Sequence, residues 1–314
     1  MTLAFIFPGQ GSQFIGMGRD LSESFTEARE TFQAVDDALG FDLSNLMFDG
    51  EADALNMTEN TQPALMAVSM AVVNVLKKQG NIDFASKCSF MAGHSLGEYA
   101  ALTASGALEL SDTAKLLRLR GQAMQRAVPV GEGAMAALLG LENDVVDEIS
   151  KEASETGICE IANDNSPGQI VVSGQVAAVE AAAALAKEKG AKRAVLLPVS
   201  APFHCSLMNP AAEEMAAALA DTNVQSPSVP VVANVTAQAV TEPSEIRDLL
   251  IQQITGRVRW SESVVWMGEQ GVSEMVELGA GKVLSGLVRR INKDIACDSV
   301  GTPEQVEALI TKLG

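Results

Sequence analysis

Histidine, aromatic residues and positive charge are all scarce in this chain. Of its 314 residues only two are histidines, aromatics make up 4%, and 22 lysines and arginines stand against 40 aspartates and glutamates, a formal net charge of −18. Each shortage excludes something. The acid excess argues against nucleic acid or an anionic membrane as the main partner, although a local basic patch can override the global sign. The four cysteines, Cys88, Cys159, Cys205 and Cys297, are scattered without a C-x-x-C pair. They read as reduced thiols of a cytoplasmic protein, with neither a disulfide framework nor a zinc site. No stretch approaches the roughly 20 apolar residues that cross a bilayer; the longest, residues 64–76, is broken by Ser69 and Asn74. The N-terminus lacks a basic region and an apolar core behind it, so no signal peptide is expected. Any imidazole chemistry must use His94 or His204.

What is present is core-forming material. Hydrophobic residues make up 47% of the chain, which rules out a disordered polypeptide. The length suits one large domain with an insertion, or two domains. Apolar runs alternate with amphipathic stretches, the α/β pattern. Residues 3–7 read as a strand leading into the Gly-rich loop Pro8-Gly9-Gln10-Gly11-Ser12-Gln13. A helix is expected over 63–78, capped by Thr61 with Pro63 in its first turn. A short buried strand over 89–92 and helices over 96–105 and 112–127 follow. The middle then reads strand, helix, strand, strand, helix, strand between loops at Pro129-Val130-Gly131 and Pro198, the ferredoxin-like order. Residues 128–199 are therefore expected to form a small subdomain inserted into a larger α/β unit made of 1–127 and 200–314. Thr302-Pro303-Glu304-Gln305 should open the last helix with a capping box.

Gly93-His94-Ser95-Leu96-Gly97 is G-x-S-x-G placed where a strand turns into a helix. Such an elbow exposes its serine in a strained geometry, with the following N–H aimed at a developing oxyanion, and it gives the larger unit an α/β-hydrolase-like, parallel-sheet character. Ser95 needs a base. The elbow should turn His94 away from the reaction face, behind the serine, so His204 in Pro202-Phe203-His204-Cys205 is the base by elimination. Arg120 falls within the apolar arc of its helix, among Leu116, Leu117, Ala123 and Met124. A buried guanidinium must meet an anion. Either an internal carboxylate or a substrate carboxylate held by the planar fork would serve, and the residues alone leave the two even. Two nucleotide readings fail: Phe14 stands where a third glycine of a dinucleotide fingerprint belongs, and Gly279-Ala280-Gly281-Lys282 lacks the P-loop spacing and its Ser or Thr.

Taken together, Phe7-Pro8-Gly9-Gln10-Gly11-Ser12-Gln13, Gly93 to Tyr99, Arg120-Gly121, Asn165-Ser166-Pro167-Gly168-Gln169, Phe203-His204, Gln253 before Trp260, and Glu277 to Leu284 resemble the malonyl-CoA:acyl carrier protein transacylases of type II fatty acid synthesis. The matches run in order along essentially the whole chain. The resemblance implies that Ser95 is acylated by malonyl-CoA, with His204 as base and then acid, oriented by a backbone carbonyl in place of a carboxylate. It implies an oxyanion hole from the Gln10 and Leu96 N–H groups, and it gives Arg120 the malonyl carboxylate. Gln253 would line the pocket beside His204 and Arg120, Asn165 its wall from the small subdomain, and Phe203 would favour malonyl. Malonyl-CoA and CoA would be substrate and product with no bound cofactor, and a monomer is the expected state. The second substrate would be acyl carrier protein, itself acidic, so a local basic patch is required. Candidates are Lys187, Lys189, Lys192 and Arg193, or Lys282, Arg289, Arg290 and Lys293. The competing readings are a serine hydrolase, which wants a carboxylate from among Asp112, Asp144, Asp147 and Asp164 on its histidine, and a non-catalytic carrier-binding module, which needs neither His204 nor Arg120.

Overall fold

The computed structural model describes residues 2–199 and 201–314. Six strands form the main sheet: β1 (Thr2–Phe7), β2 (Phe90–Gly93), β7 (Val231–Val232), β8 (Ala239–Val240), β9 (Val272–Leu278) and β10 (Ala296–Val300). Their order is β10-β9-β1-β2-β7-β8. All neighbours run parallel except the short β7–β8 pair. β1 lies centrally with helices on both faces, which is why it is apolar without interruption. Leu3, Phe5 and Phe7 enter one core and Ala4 and Ile6 the other.

The second sheet contains β3 (Gly133–Leu139), β4 (Cys159–Ser166), β5 (Gln169–Gln175) and β6 (Arg193–Leu196), ordered β4-β5-β3-β6 and antiparallel throughout. This is the ferredoxin-like arrangement expected from the order of elements. One face packs Ala136, Leu138, Ile170 and Val172 against the Asn143–Ala153 and Val176–Glu188 helices. The opposite face sends Met135, Ala162 and Val171 into the main core. The small sheet is tied to the larger unit by a parallel bridge between Asn163 and Val258, in the segment between the Pro243–Thr255 and Trp260–Glu269 helices. There Val258 N–H donates to the Ala162 carbonyl at 2.8 Å and Asp164 N–H to the Val258 carbonyl at 3.0 Å.

The helix expected over 63–78 starts earlier, running Thr58–Lys78 with Pro63 inside it. Thr61 is therefore not its cap; its hydroxyl donates to the Leu55 carbonyl at 2.6 Å. A proline inside a helix strands the carbonyl four residues back. Here that carbonyl, on Glu59, accepts from Arg118 Nη1 at 3.3 Å. The partner helix, Leu110–Ala127, can come this close because residue 121 is glycine: a Cβ there would lie 2.5 Å from Glu59 Cα. The contact sets the depth of the neighbouring Arg120. The final helix, Pro303–Leu313, carries the expected reciprocal capping box at Thr302 and Gln305.

Candidate active site

β2 ends at Gly93, and Ser95 follows with φ 53° and ψ −110° before the Leu96–Ala104 helix begins. This is a conformation that an L-residue holds only under constraint. One constraint is steric: a Cβ on Gly97 would run into the Phe7 carbonyl, and one on Gly93 into Gly97. Another is polar: Ser95 N–H donates to Asn234 Oδ1 at 2.7 Å, while Asn234 Nδ2 donates to the Gly93 carbonyl at 2.7 Å. The serine hydroxyl is thereby held at the floor of a cavity of about 130 Å³.

His204 Nε2 lies 2.8 Å from Ser95 Oγ, and His204 Nδ1 lies 2.8 Å from the Gln253 carbonyl oxygen. A carbonyl only accepts, so Nδ1 carries the proton and Nε2 is left free to accept from the serine. Burial, and then the nearby charge of Arg120, pull the His204 pKa down to about 3, so the imidazole is neutral over the ordinary pH range. No carboxylate pairs with it among the described residues. Asp147 instead meets Arg257 at 3.0 Å, and Asp164 accepts from Asn143 at 3.0 Å. His204 also has positive φ, 58°.

Arg120 is 1% exposed. Its Nη1 donates to Gln62 Oε1 at 2.7 Å, and its Nη2 to Gln253 Oε1 at 2.8 Å and Ser95 Oγ at 3.1 Å. These partners are all neutral, and no ion pair to Arg120 exists among the described residues. The guanidinium fork reaches the cavity, and burial depresses its pKa. An internal carboxylate does not sit directly on it. The nearest candidate, Glu98, is held one amide away, its Oε2 accepting from Gln253 Nε2 at 2.8 Å.

Gln10 and Leu96 both line the cavity, and their backbone N–H groups have no partner among the described residues. Met124, Met135, Leu197, Val199 and Phe203 form an apolar wall. Three sequence expectations change. His94 is not hidden behind the elbow but lines the cavity, because its Nε2 is drawn to Asn165 Oδ1 at 2.8 Å on the small sheet. Asn165 accordingly stops at the His94 ring, and Asn163 lines the cavity in its place, where irregularities in the β4–β5 register shift the strand's faces. Gln253 is fully buried beneath Arg120 and so supports the cavity from below.

Gln62, Glu98, Asn163 and Asn234 were not singled out from the sequence. Glu98 left the clearest trace, as a lone carboxylate in Leu96-Gly97-Glu98-Tyr99-Ala100-Ala101-Leu102, a segment otherwise too apolar to face water. The two basic clusters, separate in the sequence, adjoin in the fold. Lys192 packs over Gly140, whose N–H donates to the Gly168 carbonyl, and the next residue, Gln169, accepts from Arg290 Nη1 at 2.9 Å.

The acyl transferase domain family model matches residues 4–280. The chain is 46% identical over 312 residues to the malonyl CoA-acyl carrier protein transacylase of Bacillus subtilis, covering 99% of this chain and 97% of that protein. Among solved structures, the acyl-carrier-protein-S-malonyltransferase of Bartonella henselae is 56% identical over the whole of both chains, with a TM-score of 0.98. A malonyl-transacylase solved in complex with a type II PKS acyl-carrier protein is 41% identical with a TM-score of 0.96, covering 99% of this chain and 100% of that one.

Proposed function

This chain belongs to the acyl transferase family, and we propose that it moves a malonyl group from malonyl-CoA to the phosphopantetheine thiol of acyl carrier protein, through an ester on Ser95, in fatty acid biosynthesis. The observation that carries the reading is a buried guanidinium directed at the nucleophile with neutral partners alone. That arrangement suits an acyl group with its own carboxylate and has no use in a neutral-ester hydrolase. The carboxylate would take the fork position that Ser95 Oγ holds, 3.1 Å from Arg120 Nη2.

His204 Nε2 takes the Ser95 proton as the oxygen attacks the thioester carbonyl. The negative charge that develops is met by the Gln10 and Leu96 N–H groups. The C–S bond breaks, and the departing CoA sulfur receives the proton from His204. In the second half the carrier thiol gives its proton to His204 and attacks the ester carbonyl, and Ser95 leaves with the proton returned. The apolar wall from Met124 to Phe203 leaves hydrolytic water few partners. The chemistry requires no group beyond these residues, the malonyl thioester and the carrier thiol. The site is complete within one chain, consistent with a monomer, and the four free, buried cysteines suit the cytoplasm. No helix among the described residues is long and apolar enough to cross a membrane.

The function is tested by incubating the protein with malonyl-CoA and weighing it. A malonyl adduct on Ser95 that disappears onto added carrier protein is expected. Steady release of free malonate would point to a hydrolase, and no adduct to a binding module. The carrier is proposed to dock on the surface where Lys192 and Arg290 adjoin. Reversing both charges should raise the KM for carrier roughly tenfold and flatten its salt dependence, with the Ser95 adduct still forming. Unchanged carrier kinetics would remove this surface from consideration.

A further inference from the structure

Glu98 is a buried carboxylate with no part in the steps above. It is 2% exposed, in a helix whose nine residues are all buried. Its Oε2 accepts from the Asn234 N–H at 2.9 Å and from Gln253 Nε2 at 2.8 Å. The other end of the Gln253 amide accepts from Arg120 Nη2 at 2.8 Å. Glu98 and Arg120 are therefore joined by one amide that cannot itself ionise. From the surrounding elements, Arg120 on the Leu110–Ala127 helix is the charged group that acts on Glu98. The Pro243–Thr255 helix and the segment after β7 bring it amides, from Gln253 and Asn234. Tyr99, whose ring lies 5.7 Å from the guanidinium, is held neutral, its pKa pushed up to about 12 by burial.

Before acylation the site thus encloses one cation and one anion. A malonyl group on Ser95 brings a second anion to the same guanidinium, and an unbalanced charge in so dry a place is costly. The malonyl carboxylate sits directly on the fork and stays ionised; Glu98, one amide removed, is the group that can give way. We propose that Glu98 takes a proton from solvent when malonyl is loaded onto Ser95, and releases it when the carrier thiol removes the malonyl group. The enclosed charge is then the same in both halves of the cycle. Acylation itself exchanges no proton with solvent near neutral pH: the Ser95 O–H and the thioester become an ester and a CoA thiol. The proton bound by Glu98 is the only one crossing. Burial already pushes the Glu98 pKa up to about 7, so a modest further push carries it across the working range. Glu98 would thereby act through Arg120 as a positioning group for acyl groups that bear a carboxylate.

The inference rests on the malonyl transfer proposed above, and the test keeps the two apart. Enzyme is mixed with malonyl-CoA in weak buffer at about pH 8 with an indicator dye, and the Ser95 adduct is weighed in parallel. About one proton should be taken up per malonyl-enzyme formed, falling to half or less by about pH 7, where Glu98 already holds its proton half the time. Acetyl-CoA, which brings no carboxylate, should give an adduct with no uptake. Glu98→Gln keeps an oxygen for both donors and should form the malonyl adduct without uptake. Equal uptake with both acyl groups, or uptake persisting in Glu98→Gln, overturns the proposal; the wild-type comparison of the two acyl groups decides it even if that variant does not fold. Absence of any malonyl adduct would instead count against the transfer reading itself.

Discussion

An enzyme carrying His204→Ala is expected to acylate Ser95 roughly 10²–10⁴-fold more slowly, the usual contribution of a positioned general base. Among the described residues, the 2.8 Å contact between His204 Nε2 and Ser95 Oγ is the only one the serine makes with a basic nitrogen able to take its proton, since Arg120 is a donor throughout. Rapid mixing with malonyl-CoA, followed by the mass of the acyl-enzyme, measures the step. Ser95 reacting at full rate in the variant would remove His204 from the mechanism. The wild-type pH profile offers a second check. The base works when deprotonated, and its folded pKa of about 3 lies below the ordinary histidine value. The active form therefore persists as the pH falls, and acylation should hold its rate through pH 6.5 instead of halving there. A midpoint near 6.5 would mean that the imidazole is not held as described.

Arg120→Ala should be nearly as damaging, and selectively so. Removing one partner of a buried, hydrogen-bonded charge pair costs about 2–5 kcal/mol, a factor of roughly 30 to several thousand. That loss should fall on kcat/KM for malonyl-CoA, with acetyl-CoA affected much less because it offers the fork nothing to hold. Equal losses for both would show that Arg120 merely supports the fold. Arg120→Lys should not restore malonyl transfer: a single ammonium cannot span Gln62, Gln253 and a carboxylate, three acceptors that the planar guanidinium reaches from its two terminal nitrogens.

Much of this is legible in the amino-acid sequence. Glycine spacing marked the elbow because the turn physically excludes a Cβ at Gly93 and Gly97. Helical periodicity marked Arg120 as inward-facing, and it is 1% exposed. The strand and helix order marked the small sheet, whose pairing then follows from the fold. What stayed hidden depends on contacts between distant segments. The helix start at Thr58 was missed because Pro63 is a reasonable first-turn residue by local rules; only the distant Arg118, supplying the Glu59 carbonyl with a donor, makes the earlier start tolerable. His94 was expected behind the elbow because nothing local says that Asn165, on another sheet, will draw it into the cavity wall. Likewise the alternation of a regular strand cannot separate Asn163 from Asn165. Bulges in β4 do that, and they have no marker in the residues themselves. The Glu98–Gln253–Arg120 relay joins three segments up to 155 residues apart, a separation at which spacing arguments carry no information.

Among the described residues, four that are not glycine have positive φ, and two of them are Ser95 and His204. A backbone held there gives up about 1–3 kcal/mol per residue, which glycine at either position would largely recover. Heat resistance and turnover therefore pull in opposite directions at the two positions that matter most. A library of variants sorted only by survival at high temperature would gather chains that melt late and do nothing. Hardening this enzyme must be sought at its exposed helices, and each hardened variant has to be screened for acyl transfer as well as for its melting point.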